Sequence, residues 1–211
     1  MLTKNQEYIV DIIDNGFKGE GIAKIDGIIV FVQNAIKGEK IKIKILKVTS
    51  SHAFGKIIEI IEPSQLRTIS DCETYSKCGG CCMRHINYDT TIEMKKNAVE
   101  VTLEKALGRK VEVLEILKME NPYNYRNKLQ YPIGIGDDGK PVMGVFAERT
   151  HRIIPTENCN IQDVLSQKIA NDIYEFVLKN NISVYNEKTL QGSLRHIVCL
   201  LYTSDAADDK A

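Results

Sequence analysis

The chain has 211 residues, 28 basic and 28 acidic side chains, 43% apolar content and a mean hydropathy of −0.21. That length can bury one large core or two small ones, and the composition excludes wholesale disorder. A formal charge of zero excludes a polyelectrolyte that would bind nucleic acid by net charge alone, so any such binding has to come from local patches.

Residues 7–61 read as several short strands. Tyr8, Val10 and Ile12 alternate, Asp26-Gly27 marks a hairpin, and Ile28 to Val32 is an apolar run. Ile41, Ile43 and Ile45 alternate with Lys40, Lys42 and Lys44, which predicts a half-buried strand with a cationic outer face. A fifth strand follows from Phe54. Five strands in so short a segment predict a small barrel of the oligonucleotide-binding kind.

Pro63-Ser64 closes that segment. A helix is expected over 89–107 with Asp89 as N-cap and Gly108 as its stop, then a strand over 111–117. Residues 129–146 read as a hairpin about Asp137-Asp138-Gly139-Lys140. The letters Gly134-Ile135-Gly136-Asp137-Asp138-Gly139 match a dinucleotide fingerprint, but Pro141 is incompatible with the helix such a motif must open. A second helix is expected over 162–179, packing through Leu165, Ile169, Ile173 and Phe176.

No apolar run reaches the roughly 18 residues a membrane helix needs. The first residues carry no signal-peptide core, so the chain reads as cytoplasmic, where thiols stay reduced. Clustered cysteines then point to metal or catalysis before disulfides. Cys72, Cys78 and Cys81 fall within ten residues, with Gly79-Gly80 between the last two and Cys159 far downstream. Four thiolates would suit a cubane iron–sulfur cluster, whereas Cys72, Cys78, Cys81 and His85 would suit a Cys₃His zinc site. Spacing alone leaves both open. Cys82 reads as a packing thiol. Tyr123-Asn124-Tyr125-Arg126-Asn127-Lys128 offers cations and rings to RNA, or simply a solvated strand entry.

Taken together, these motifs resemble the N-terminal half of the bacterial RNA (uracil-5-)-methyltransferases, particularly those acting on 23S ribosomal RNA. Gly19-Glu20-Gly21-Ile22-Ala23, Val30-Phe31-Val32 and Lys37-Gly38-Glu39 resemble that family's TRAM domain. Cys72 to Cys81 with His85 resembles its cluster segment. Tyr125-Arg126-Asn127-Lys128 and Cys159-Asn160-Ile161-Gln162 resemble its central domain, and Leu194-Arg195-His196 the strand after it.

The resemblance implies a 4Fe–4S cluster on Cys72, Cys78, Cys81 and Cys159, with His85 not a ligand. The cationic face of the predicted strand makes Lys40, Lys42 and Lys44 the expected RNA contacts, with Arg126 and Lys128 as the next candidates. The resemblance implies 23S ribosomal RNA as partner, and no membrane and a monomer are expected. The expected fold is an all-β TRAM/OB-like barrel over 1–62, then an α+β iron–sulfur domain over 63–198. The Rossmann-like domain that holds S-adenosylmethionine is expected to be absent, and 199–211 to be a foreign tail. In that family a cysteine attacks carbon 6 of a flipped uracil, carbon 5 takes the methyl group and a carboxylate base removes its proton. No residue here is assigned either role, Cys199 included, so the piece alone is expected to be inactive. The competing reading is a stand-alone TRAM-type RNA-binding module with a Cys₃His zinc site and no catalysis.

Overall fold

The computed structural model describes residues 2–187 and 189–202. Residues 203–211, most of the expected tail, lie outside the described residues. The chain divides into two compact units that interleave in sequence. The first comprises Met1–Asp71 and Cys81–Lys118, the second Cys72–Gly80 and Met119–Ala211.

In the first unit, β1 (Glu7–Asp11), β2 (Asp14–Asn15), β3 (Gly21–Ile25), β4 (Ile28–Val32), β5 (Lys40–Val48) and β6 (His52–Glu62) form one sheet. Its order is β1-β5-β6-β4-β3-β2, six strands where five were expected. All neighbours are antiparallel except β4 and β6, which run parallel. The turn between β3 and β4 is the expected Asp26-Gly27 pair, with φ of 48° and 84°. Two residues at positive φ match the twist of the flanking strands. Alternation sets the core: Ile41, Ile43, Ile45, Val30, Val32, Ala23 and Ala53 are all fully buried. Each buried Ile or Val contributes about 1.5–3 kcal/mol.

The segment after this sheet folds back onto its own unit. The Thr68 N–H donates to His85 O (2.9 Å), and the Asn87 N–H to Leu66 O (3.2 Å). Helix α1 (Tyr88–Leu107) starts one residue earlier than expected, and its N-cap is Asn87, whose side chain accepts from the Asp89 N–H at 2.9 Å. Gly108 ends it in the left-handed conformation. The strand expected over 111–117 does not form. These residues have no regular structure, and Leu114 and Leu117 are exposed. An apolar alternation makes a strand only where a sheet edge is available to pair it.

The second unit holds an antiparallel sheet, ordered β10-β7-β8-β9, of β7 (Lys128–Ile135), β8 (Pro141–Phe146), β9 (Ile153–Pro155) and β10 (His196–Leu200). The glycine-rich motif is the β7–β8 turn, closed by the Gly136 N–H donating to Lys140 O at 2.8 Å. Gly144 is obligatory: a Cβ there would lie 1.9 Å from the Ile154 carbonyl oxygen of β9.

Helix α2 (Val164–Lys179), capped by Asp163, covers this sheet with an unexpected face. Its buried residues are Ser166, Gln167, Ala170 and Val177. Leu165, Ile173 and Phe176, expected to pack, are exposed at 54%, 39% and 59%. Fully buried Ser166 and Ala170 bring the helix close to the sheet, and a rim residue, Tyr174, hydrogen-bonds Pro141 O (2.8 Å). No helix among the described residues is long and apolar enough to cross a membrane.

Candidate functional site

The thiols come first. Cys72–Gly80 belongs to the second unit, held by Cys78 N–H to Thr74 O (2.8 Å) and Gly79 N–H to Phe146 O (3.3 Å). A Cβ on Gly79 would come within 3.0 Å of the Glu148 backbone, so the loop needs glycine there to approach the sheet end. The next amide, Gly80 N–H, donates to Cys78 Sγ at 3.2 Å. Burial pushes the Cys78 thiol up, the Gly80 hydrogen bond opposes this, and the nearby Cys159 and Cys72 add to the rise.

Cys159 comes from the loop that leads into α2. The segment 124–126 runs beside 160–162 through Asn124 N–H to Asn160 O (3.0 Å) and Arg126 N–H to Ile161 O (2.9 Å). The Cys159 N–H donates to the side-chain oxygen of buried Gln167, whose amide nitrogen donates to Gln162 O at 3.0 Å. Gln167, on the first turn of α2, thus fixes the cysteine loop. It had no sequence signal beyond its place on the helix.

Tyr131 is a second unannounced member. It is 1% exposed, and its hydroxyl has no hydrogen-bond partner among the described residues. Burial raises its ionisation point, and Cys159 and Cys78 raise it further, whereas Arg126 opposes them. Cys72, Cys78, Cys159, Tyr131 and Arg126 therefore share one electrostatic neighbourhood. They are not closed into a metal cage: among the described residues, no three His, Cys, Asp or Glu side chains stand close enough to hold a metal ion.

All six cysteines are free thiols. Cys82 is exposed rather than packed, and Cys199 packs against the second core. His85 is 4% exposed in the first unit, near the Glu39–Arg67 pair. Burial, with repulsion from Arg67, lowers its pKa to about 4.

The expected cations fall into two groups. Lys40, Lys42 and Lys44 lie on the outer face of β5, but register brings acids to them. Lys42 pairs with Glu7 at 2.8 Å, Lys40 with Glu62 at 3.5 Å, and Lys44 stands opposite Glu7 on β1 and Lys56 on β6. The β1 end of this face is consequently mixed in sign rather than cationic. Arg126 and Lys128 are exposed at the start of β7 in the second unit.

Comparison with known proteins places this architecture. Residues 2–58 match the TRAM domain, so the six-stranded sheet is a TRAM sheet. Over nearly its whole length the chain is homologous to proteins named as RNA methyltransferases. One from Clostridium tetani is 44% identical over 92% of this chain and 42% of its own length. Another from Clostridium acetobutylicum is 45% identical over 92% and 43%, respectively. The chain spans less than half the length of these curated relatives. Among solved structures, a Pyrococcus abyssi tRNA (uracil-54, C5)-methyltransferase, crystallised with S-adenosyl-L-homocysteine, matches 90% of this chain and 42% of its own. The TM-score is 0.63 at 25% identity.

These matches correct the expected fold class, in which an RNA-binding barrel and an iron–sulfur domain stood without a methyltransferase part. Methyltransferase relatives align along 92% of the chain, and a methyltransferase fold covers 90% of it. Both units lie within the stretch that aligns with those proteins. The polypeptide crosses between the two units at 71/72, 80/81 and 118/119.

Proposed function

We propose that this chain binds RNA as part of an S-adenosylmethionine-dependent RNA (uracil-5-)-methyltransferase acting on 23S ribosomal RNA in the cytoplasm, as a monomer. The observation that carries this reading is a TRAM sheet continuous with sequence shared with RNA methyltransferases. The tRNA enzyme matched in structure makes transfer RNA the competing substrate. The two are separated by tritiated methyl transfer onto unmodified 23S ribosomal RNA and unmodified tRNA. Label in 5-methyluridine of the ribosomal RNA is the expected result, and label in tRNA alone would reassign the substrate.

Cys72, Cys78, Cys81 and Cys159 are the proposed ligands of a 4Fe–4S cluster. A cluster would supply a rigid four-thiolate centre. Four thiols are the donor set such a cluster takes. Cys72, Cys78 and Cys159 share one neighbourhood in which a backbone N–H already points at Cys78 Sγ, although as they lie no three of them are close enough to hold a metal. Anaerobically purified protein should be brown and carry about four iron atoms. Colourless protein with one stoichiometric zinc would sink the assignment.

Lys40, Lys42, Lys44, Arg126 and Lys128 are proposed phosphate contacts. Each lysine contacting single-stranded RNA contributes roughly 0.7 to the log–log salt slope. Replacing Lys40, Lys42 and Lys44 together with Gln should therefore lower the slope by about 2. An unchanged slope would mean that Glu7 and Glu62 keep these lysines from RNA.

A further inference from the structure

The outer face of the TRAM sheet changes character along β6. Toward β1 it carries the lysine–carboxylate pairs. Toward β3 it carries rings. Phe31 on β4 stands opposite Phe54 on β6, and His52 stands two residues before Phe54 on the same face. The rings are 5.0 Å apart for His52 and Phe54, 5.6 Å for Phe31 and His52, and 5.9 Å for Phe31 and Phe54. Phe54 is 36% exposed, and Ile29 beside the cluster 43%. The inward residues between them, Val30, Ala53 and Gly55, complete the core, so these rings are not needed to fill it.

Cations border the rings by register. Lys24 of β3 stands opposite Ile29, and Lys47 of β5 opposite Phe54. Lys56 follows Phe54 on the same face and stands opposite Lys44. Like charges directly opposed across a ladder are destabilising, and a polyanion laid over them relieves that repulsion. Clustered rings bordered by lysines are the combination that holds single strands: bases stack on aromatic faces while cations follow the backbone.

We propose that Phe31, His52 and Phe54 form a stacking platform for the bases of single-stranded RNA, with Lys24, Lys47 and Lys56 contacting its phosphates. The inference rests on the reading of this chain as RNA-binding and names the surface and the form of RNA. It adds contacts to those of Lys40, Lys42 and Lys44 and places base stacking on β4 and β6, beside them in the sheet.

The chain has no tryptophan, so Phe54→Trp places a single indole on the platform. Its fluorescence should be quenched by a uridine decamer and not by an abasic ribose-phosphate decamer. By anisotropy, the unsubstituted chain should bind the abasic decamer at least about tenfold more weakly, as expected when stacking is lost. Phe31→Leu with Phe54→Leu keeps apolar bulk and should weaken binding of the uridine decamer about tenfold at an unchanged salt slope. Gln at Lys24, Lys47 and Lys56 should lower that slope by about 2.

Equal affinity for the two decamers, or no quenching of the indole by the uridine decamer, would overturn the platform. If the double-Leu variant still bound both structured RNA and the uridine decamer as tightly as before, the platform would fall while RNA binding stood. A chain that bound no RNA in any form would remove the functional reading itself.

Discussion

Replacing Arg67 with Met should destabilise the first unit by about 3–5 kcal/mol, the cost of leaving a buried charge without its partner. Glu39 lies in the Lys37-Gly38-Glu39 motif, and its side chain is fully buried, whereas that of Arg67 is 20% exposed. Its carboxylate accepts from the Arg67 guanidinium, at 2.8 Å for Nη2 to Oε2, and from the Ile36 N–H at 2.8 Å. Arg67 Nη2 also donates to Asn34 O at 2.7 Å, tying the chain after β6 to the loop after β4.

Burial by itself would raise the Glu39 pKa, but Arg67 and the Ile36 and Ser64 N–H groups outweigh it and hold the carboxyl below its ordinary value. A carboxylate with a lowered folded-state pKa stabilises the fold above its unfolded value of 4.5, and that contribution is lost as pH falls through the folded value. Urea unfolding at pH 7 measures the effect of Arg67→Met. Glu39→Gln in the same background should restore part of the loss, because the charge to be buried is gone. A loss of under about 1 kcal/mol would mean the pair behaves as an exposed one.

Between pH 6.5 and about 4 the fold should lose about 3 kcal/mol through His85 alone, since one pKa unit corresponds to about 1.4 kcal/mol. Burial, reinforced by Arg67, lowers the imidazole from 6.5 to about 4, so the folded chain holds it neutral where the unfolded chain takes up a proton. Stability is then fully present above pH 6.5, falls as pH drops toward 4, and changes no further through this group below that. The Glu39 contribution is lost only below 4.5, so the two windows separate in a titration of unfolding free energy. His85→Gln should flatten the upper window and leave the lower one. An unchanged upper slope would assign it to another group.

Local patterning carried much of the fold. The alternation of Ile41, Ile43 and Ile45 puts three side chains into the core at zero exposure, because strand geometry sends every second residue inward. Asp26-Gly27 and Asp137-Asp138-Gly139 turn where expected, because glycine accepts positive φ without strain. The helix over 162–179 forms close to its expected bounds, but hydrophobicity picked the wrong face. Leu165, Ile173 and Phe176 are the larger apolar groups, yet packing against a sheet rewards close approach, and the small Ser166 and Ala170 provide it.

Sequence by itself determined the strand-forming segment with its lysine row, the turns, the helices and the candidate thiols, all of which depend on neighbours a few residues apart. Only the tertiary structure decided what those groups face. Register set Glu7 and Glu62 against Lys42 and Lys40, and it gathered Phe31 of β4 with His52 and Phe54 of β6 onto one surface. Folding also brought Tyr131 and Gln167 to the cysteines, and it passes the polypeptide between two units three times. Pairings of this kind join residues tens of positions apart. They are chosen by which strands share hydrogen bonds and which faces exclude water, and neither choice is written in any short stretch of the chain.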